Sequence, residues 1–161
     1  MRVSVTLVLM CCVVLLGGCS NPRSLVAGQS TIDDVRARAG KPTDTRVDRN
    51  GDQLWEYAGG PEGRETYLVR IGADGKVKVV TQLLTDDQLA KVVPGKTTKT
   101  EVRDLLGRPT EEIEYRSGLA WSWRYLRNDV SPGYLVVRFN PDGTVYERIA
   151  IIDPSGDSRE N

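Results

Sequence analysis

The chain has 161 residues, its 22 Lys and Arg balance 22 Asp and Glu for a formal net charge of zero, and it contains no histidine. A balanced surface without a basic block gives nucleic acid no electrostatic footprint. Without an imidazole, Ser-His and Cys-His nucleophile schemes are excluded as well.

Met1 and Arg2 open the chain, an apolar run fills residues 3–16, and Leu16-Gly17-Gly18-Cys19 closes it with small residues. That run is too short to cross a hydrocarbon core of roughly 30 Å, and it ends in a cleavage-type sequence instead of a basic stop-transfer flank. The pattern predicts a lipoprotein signal over 1–18, lipid on Cys19 and a tether over 19–24. Several acyl groups there would fasten the domain to a membrane more firmly than one chain could. Cys11 and Cys12 leave with the signal, so no internal disulfide is expected and the fold must be held by its core.

The next element is a helix in a first repeat spanning 25–83. Thr31 with Asp34 caps its start, Ile32, Val35 and Ala39 supply an apolar stripe, and Gly40 with Pro42 stops it. Strands are predicted at 45–48, 53–58, 65–71 and 76–82, turned at Asn50-Gly51 and Asp74-Gly75. A second repeat over 84–153 begins with a short helix after Thr85, followed by Pro94-Gly95. The first repeat has only residues 22–27 in that place, so its leading helix should be shortened or absent. Thr98 with Glu101 then writes a capping box for a helix bearing Val102, Leu105 and Leu106, stopped by Gly107 and Pro109. Alternation predicts strands at 111–116, 119–125, 133–139 and 144–152, and residues 154–161 read as a loose tail.

The two halves share one pattern about 67 residues apart, which marks a duplicated supersecondary unit. Gly28, Thr31, Val35, Gly40, Pro42 and Thr43 recur identically as Gly95, Thr98, Val102, Gly107, Pro109 and Thr110. Short turns force antiparallel pairing. The expected class is therefore α+β: two tandem repeats, each with one or two short helices followed by a three- or four-stranded antiparallel meander.

The segment Gly-x-x-Thr-x-x-x-Val-x-x-x-x-Gly-x-Pro, followed by Trp55-Glu56-Tyr57 in one copy and Trp123-Arg124-Tyr125 in the other, resembles the BamE-like (SmpA/OmlA) family of outer-membrane lipoproteins. The resemblance implies a lipid-anchored protein facing the periplasm that works by protein contacts, possible partners being components of the barrel-assembly machine or of envelope integrity. Ser20 stands where an aspartate would be the usual inner-membrane retention signal in such lipoproteins, which implies the outer membrane. Two copies in tandem are similar to the β-lactamase inhibitory proteins, so the alternative is a lipid-anchored inhibitor or sequestering partner of a periplasmic enzyme. No catalytic residue, cofactor, metal or small-molecule substrate is expected.

Asp33-Asp34 and Asp86-Asp87 fall in first helical turns, where negative charge complements the helix dipole. Asp48-Arg49-Asn50-Gly51-Asp52 is superficially like the start of a calcium loop, but Asn-Gly is a hairpin signal and the downstream bidentate glutamate is missing. Strand alternation places Leu119, Trp121, Trp123, Tyr125, Leu135, Val137 and Phe139 on one face, with Trp55, Tyr57, Tyr67, Val69 and Ile71 matching them, and these should pack under the helices. The opposite face should display Arg124, Tyr134, Val136, Arg138, Tyr146 and Arg148 in the second repeat, and Glu56, Leu68, Arg70 and Val80 in the first. Tyrosine and arginine combine contact area with polar reach, which makes Arg70, Arg124, Tyr134, Arg138, Tyr146 and Arg148 the candidate partner-binding residues.

Overall fold

Threonine caps set both main helices. In the computed structural model, which describes residues 22–59, 63–116 and 118–153, α1 (Ile32–Ala39) follows Thr31 and α3 (Lys99–Leu106) follows Thr98. Each threonine accepts from the N–H at the third helical position, whose carboxylate returns to the threonine N–H, so two otherwise orphaned donors are satisfied at each end. α2 (Asp86–Ala90) precedes α3, and a single 3-10 turn, Pro22–Ser24, takes the corresponding place before α1. The expected signal over 1–18, residues 19–21 of the expected tether with Cys19 among them, and the tail over 154–161 lie outside the described residues.

Each helical segment is followed by a four-stranded antiparallel meander. Sheet 1 runs β1 (Asp44–Val47), β2 (Gln53–Ala58), β3 (Thr66–Ile71), β4 (Val77–Gln82), and sheet 2 runs β5 (Glu111–Tyr115), β6 (Gly118–Arg127), β7 (Ser131–Phe139), β8 (Val145–Ile152). The fold is α+β, with two tandem repeats. The sheets are separate ladders, so no single sheet runs through both repeats.

Duplication extends to individual backbone bonds. Gly28 N–H donates to the Val77 carbonyl and Gly95 N–H to that of Val145, each at 2.8 Å. Val77 N–H returns to Ser30 and Val145 N–H to Thr97, so each loop before a helix is stitched to the last strand of its own sheet. Gly28 and Gly95 have φ of 75° and 74°, a left-handed conformation that glycine adopts without steric cost.

The predicted core faces are where alternation puts them. Val35, Ala39, Trp55, Tyr57, Tyr67, Val69, Ile71 and Val77 form one buried cluster, and Val102, Leu106, Trp121, Trp123, Tyr125, Leu135, Val137 and Phe139 belong to its counterpart. Trp121 packs edge-on to Phe139, with centroids 5.0 Å apart, and to Trp123 at 6.1 Å. Such offset contacts add to the area these rings remove from water.

Two positions on the last strands differ from the expected alternation. Ile71 pairs with Val77 while Arg70 pairs with Val79, and Phe139 pairs with Val145 while Arg138 pairs with Glu147. Lys78 and Tyr146 are therefore the extra residues of two equivalent β-bulges, and a bulge shifts every later side chain to the other face. Val80 consequently lies opposite Val69 on the core side of sheet 1, and Arg148 lies opposite Val137 on the helix side of sheet 2. Neither shares the outer face that strict alternation assigned to it.

Candidate interaction surface

The outer face of sheet 1 is already occupied. Leu54, Leu68 and Leu83 form a small buried cluster there, and Glu56 is only 2% exposed. A carboxylate so buried must be paired. Arg103 of α3 donates from Nη1 to its Oε2 at 2.7 Å, and the N–H of Arg108 donates to its Oε1 at 2.7 Å. Arg103 also bonds Asp44 on β1, and Arg46 lies 3.6 Å from Asp104. Thus the C-terminal end of α3 and the turn behind it, both from the second repeat, cap the sheet of the first. Gly107 permits the approach: its φ is 75°, and a Cβ there would stand 2.8 Å from Glu56 Oε1.

Among the candidate residues, Arg70 sits on this same face but its guanidinium is engaged by Asp48 and lies 3.5 Å from Asp52, in the β1–β2 hairpin. Lys78, the bulge residue, reaches Asp52 at 2.7 Å. Asp48 also accepts from the N–H groups of Asn50 and Asp52. The carboxylates of the calcium-like run thus tie hairpin, β3 and β4 together.

Sheet 2 carries four other candidates on one side, in two groups. Arg124 pairs with Tyr134 across β6 and β7, and Arg138 pairs with Glu147, with an ion pair of 3.0 Å between their side chains. The Tyr134 hydroxyl donates to Glu111 at 3.2 Å. Tyr146 is exposed, and with Tyr115 and Arg138 it borders a shallow depression at the edge of this face. Arg148 is separated from this group by the sheet itself. Its Nη1 donates to the carbonyl of Leu89 in α2 at 2.5 Å, where a cation meets the last turn of the helix.

Alternation alone did not reveal the partners of Glu56 or the aliphatic lining of sheet 2. Rows Glu111–Ser122–Val136–Ile149 and Arg124–Tyr134–Ile151 cross that face, and Ile113 lies opposite Ala120 beside them. Ile113 and Ile151 are 38% and 45% exposed. The Ser122 hydroxyl is buried among these neighbours without a hydrogen-bond partner among the described residues. At the far end Asp153, itself buried, lies 3.9 Å from Arg124 and 3.8 Å from Arg64 of the first repeat.

No group of His, Cys, Asp and Glu among the described residues could hold a metal ion. Burial pushes the Tyr57 hydroxyl up to about 12, in a core where its oxygen lies 3.3 Å from the Gly40 carbonyl, so this is a structural phenol.

The fold is a tandem of cap-stabilised helices and four-stranded meander sheets, with an ion pair between Glu56 and Arg103 joining the repeats. Residues 82–148 match the family model described as "Outer membrane protein assembly factor BamE domain". The match covers most of the second repeat, and the first repeat carries the same Gly-Thr-Val-Gly-Pro-Thr pattern. A comparison with curated proteins finds no match. Among solved structures, a DUF4309 family protein (YjgB) from Bacillus subtilis is similar at 17% identity over 81% of this chain and 84% of that one, with a TM-score of 0.31, a likeness too distant to bear on fold or function.

Proposed function

We propose that this protein is an outer-membrane lipoprotein, anchored through Cys19, that acts by protein contacts on the periplasmic side as an accessory of barrel assembly or envelope integrity. The match of residues 82–148 to an assembly-factor domain carries the reading. The lipobox Leu16-Gly17-Gly18-Cys19 and the absence of histidine agree with a tethered, contact-based role. Arg124, Tyr134, Arg138 and Tyr146 are the contact residues in this reading, with Arg70 and Arg148 supporting the hairpin and the helix behind them.

Crosslinking in intact cells, followed by identification of the captured proteins, tests it. Barrel-assembly components are the expected catch, whereas one soluble periplasmic enzyme would replace the accessory role with sequestration. Metabolic labelling with palmitate checks the anchor: label should be present on the wild-type chain and absent from Cys19→Ala.

A further inference from the structure

The carboxylate of Glu56 is held at two points by the end of α3: the Arg103 guanidinium meets Oε2 and the Arg108 N–H meets Oε1, each at 2.7 Å. The end of α1 is built the same way. Arg36 takes the place of Arg103 in its helix, Gly40 that of Gly107, and Lys41 that of Arg108. Gly40 N–H closes its helix on the Arg36 carbonyl at 3.0 Å, Gly107 N–H does so on that of Arg103 at 3.1 Å, and the two glycines have φ of 70° and 75°. Beyond the turn, the N–H groups of Thr43 and Thr110 donate to the carbonyls of Glu56 and Ser122, each at 2.8 Å, so both helix ends enter their sheets in one register.

What differs is the cover. Gly107 and Pro109 are buried and Arg103 is half-buried, whereas Gly40 and Pro42 are half-buried and Arg36 is exposed. Among the described residues no acceptor meets the Lys41 N–H, the counterpart of the Arg108 donor. Arg36, Gly40, Lys41, Thr43, Thr45 and Trp55 line an open depression. The Arg36 guanidinium lies over the Trp55 ring, 5.3 Å from its centroid, and 3.1 Å from Asp33. That exposed ion pair carries little weight and yields to a better-placed acceptor. Asp44 also borders the depression, but its carboxylate is engaged by Arg103.

We propose that the end of α1 binds the carboxylate of an Asp or Glu side chain exposed on a partner protein, with Arg36 and the Lys41 N–H taking its two oxygens as Arg103 and the Arg108 N–H take those of Glu56. The inference rests on the protein-contact reading above and names what the partner brings. The second repeat sets the chemistry, since there the same donors meet a protein glutamate. Trp55 and Pro42 beside the donors give the apolar stem of a side chain a floor, which a free hydrated acid does not use. A second copy of this chain does not supply the acid. Seated as sheet 1 is seated on α3, its second sheet would offer Ser122 at the place of Glu56, and Glu56 is held by Arg103 of its own chain.

The test titrates the full-length chain, in detergent micelles, with the capped peptide Ala-Leu-Glu-Leu-Ala and with its counterpart Ala-Leu-Gln-Leu-Ala, following backbone amides by heteronuclear NMR. The Arg108 amide proton should already lie downfield, because Glu56 accepts from it, and the glutamate peptide should draw the Lys41 amide proton the same way. Its dissociation constant should be about tenfold lower than that of the glutamine peptide, and Arg36→Gln should raise it about tenfold, as loss of one charge-assisted hydrogen bond allows. Asp33→Asn, which frees Arg36 from its rival, should lower it. Unchanged melting temperatures report that each variant is folded, and Asp33→Asn carries the test alone if Arg36→Gln is not. A Lys41 amide that stays in place up to about 10 mM peptide, equal affinity for the two peptides, or an affinity indifferent to Arg36 and Asp33 would each overturn the inference. Acetate or inorganic phosphate binding as tightly as the glutamate peptide would overturn it too. The crosslinking in cells reads the broader claim separately: barrel-assembly components in the catch, with a Lys41 amide indifferent to both peptides, defeat this inference and leave the proposed function standing. A Lys41 site that binds, with one soluble enzyme as the whole catch, does the reverse.

Discussion

Glu56 and Arg103 belong to different repeats, yet the carboxylate of the first accepts from the guanidinium of the second at 2.7 Å beneath a nearly closed surface. Removing one member of such a pair leaves the other desolvated and unpaired. Glu56→Ala should therefore destabilise the protein by roughly 2 to 4 kcal/mol, the range being held down because Arg103 keeps some contact with water and with Asp44. The double variant Glu56→Ala/Arg103→Ala should cost less than the two singles together, since both remove one interaction. Urea unfolding followed by tryptophan fluorescence measures both. Additive losses would mean that the two side chains act independently.

The turn behind α3 gives a second, steric expectation. Gly107→Ala must hold an alanine at φ 75° and place its Cβ 2.8 Å from Glu56 Oε1. Gly95→Ala meets the same backbone conformation, φ 74°, in open space. Gly95→Ala should cost about 1 kcal/mol from conformation alone, and Gly107→Ala about 1 to 3 kcal/mol more through overpacking. Thermal melts of the two variants decide it, and equal costs would remove the close approach from the account.

Much of this architecture was legible because local chemistry and global fold agree. Thr31-x-x-Asp34 and Thr98-x-x-Glu101 specify helix starts whatever surrounds them, and Asn50-Gly51 specifies its hairpin. The Trp and Tyr alternation on β2 and β6 specified the core face. The bulges were not legible, since Lys78 and Tyr146 carry no conformational signature; only the adjacent Val79 and Val80 break alternation, and that sufficed to misplace Val80 and Arg148. The Glu56 lock was hidden for another reason. Its partners lie on a helix of the other repeat, and alternation says which way a side chain points but not what arrives to meet it.

The titrating groups predict a pH profile of defined shape. Asp34 and Glu101 ionise below the usual carboxylate range because the backbone N–H groups of Thr31 and Thr98 donate to them, with the threonine hydroxyls adding to it; Asp142 does so because the Thr144 hydroxyl and N–H donate to it. A carboxylate depressed on folding contributes stability above its unfolded value, about 4, and loses it as the pH falls through the folded value. Tyr57 acts at the other end: its hydroxyl is raised to about 12, so its contribution is complete below the unfolded value of roughly 10 and is lost as the pH climbs toward the folded one. With no histidine, stability should be flat between about pH 6 and 8. Melting temperatures collected from about pH 3 to about pH 11 should show a plateau that falls below about 4 and above roughly 10, and a step near neutrality would contradict it.

Arg138 and Arg148 lie on neighbouring strands of one sheet but should respond oppositely to truncation. Arg148 faces the helices and donates to the Leu89 carbonyl, so Arg148→Ala strips α2 of a charged bond at its last turn and should cost about 1 kcal/mol of stability while leaving partner capture intact. Arg138 faces outward with Glu147, an exposed pair of little energetic weight, so Arg138→Ala should leave stability within about 0.5 kcal/mol of wild type and reduce capture. Measuring unfolding and crosslinking on the same two variants separates these roles. If Arg148→Ala lost the partner and Arg138→Ala kept it, the contact surface would lie on the helix side of sheet 2, with α2 as part of it.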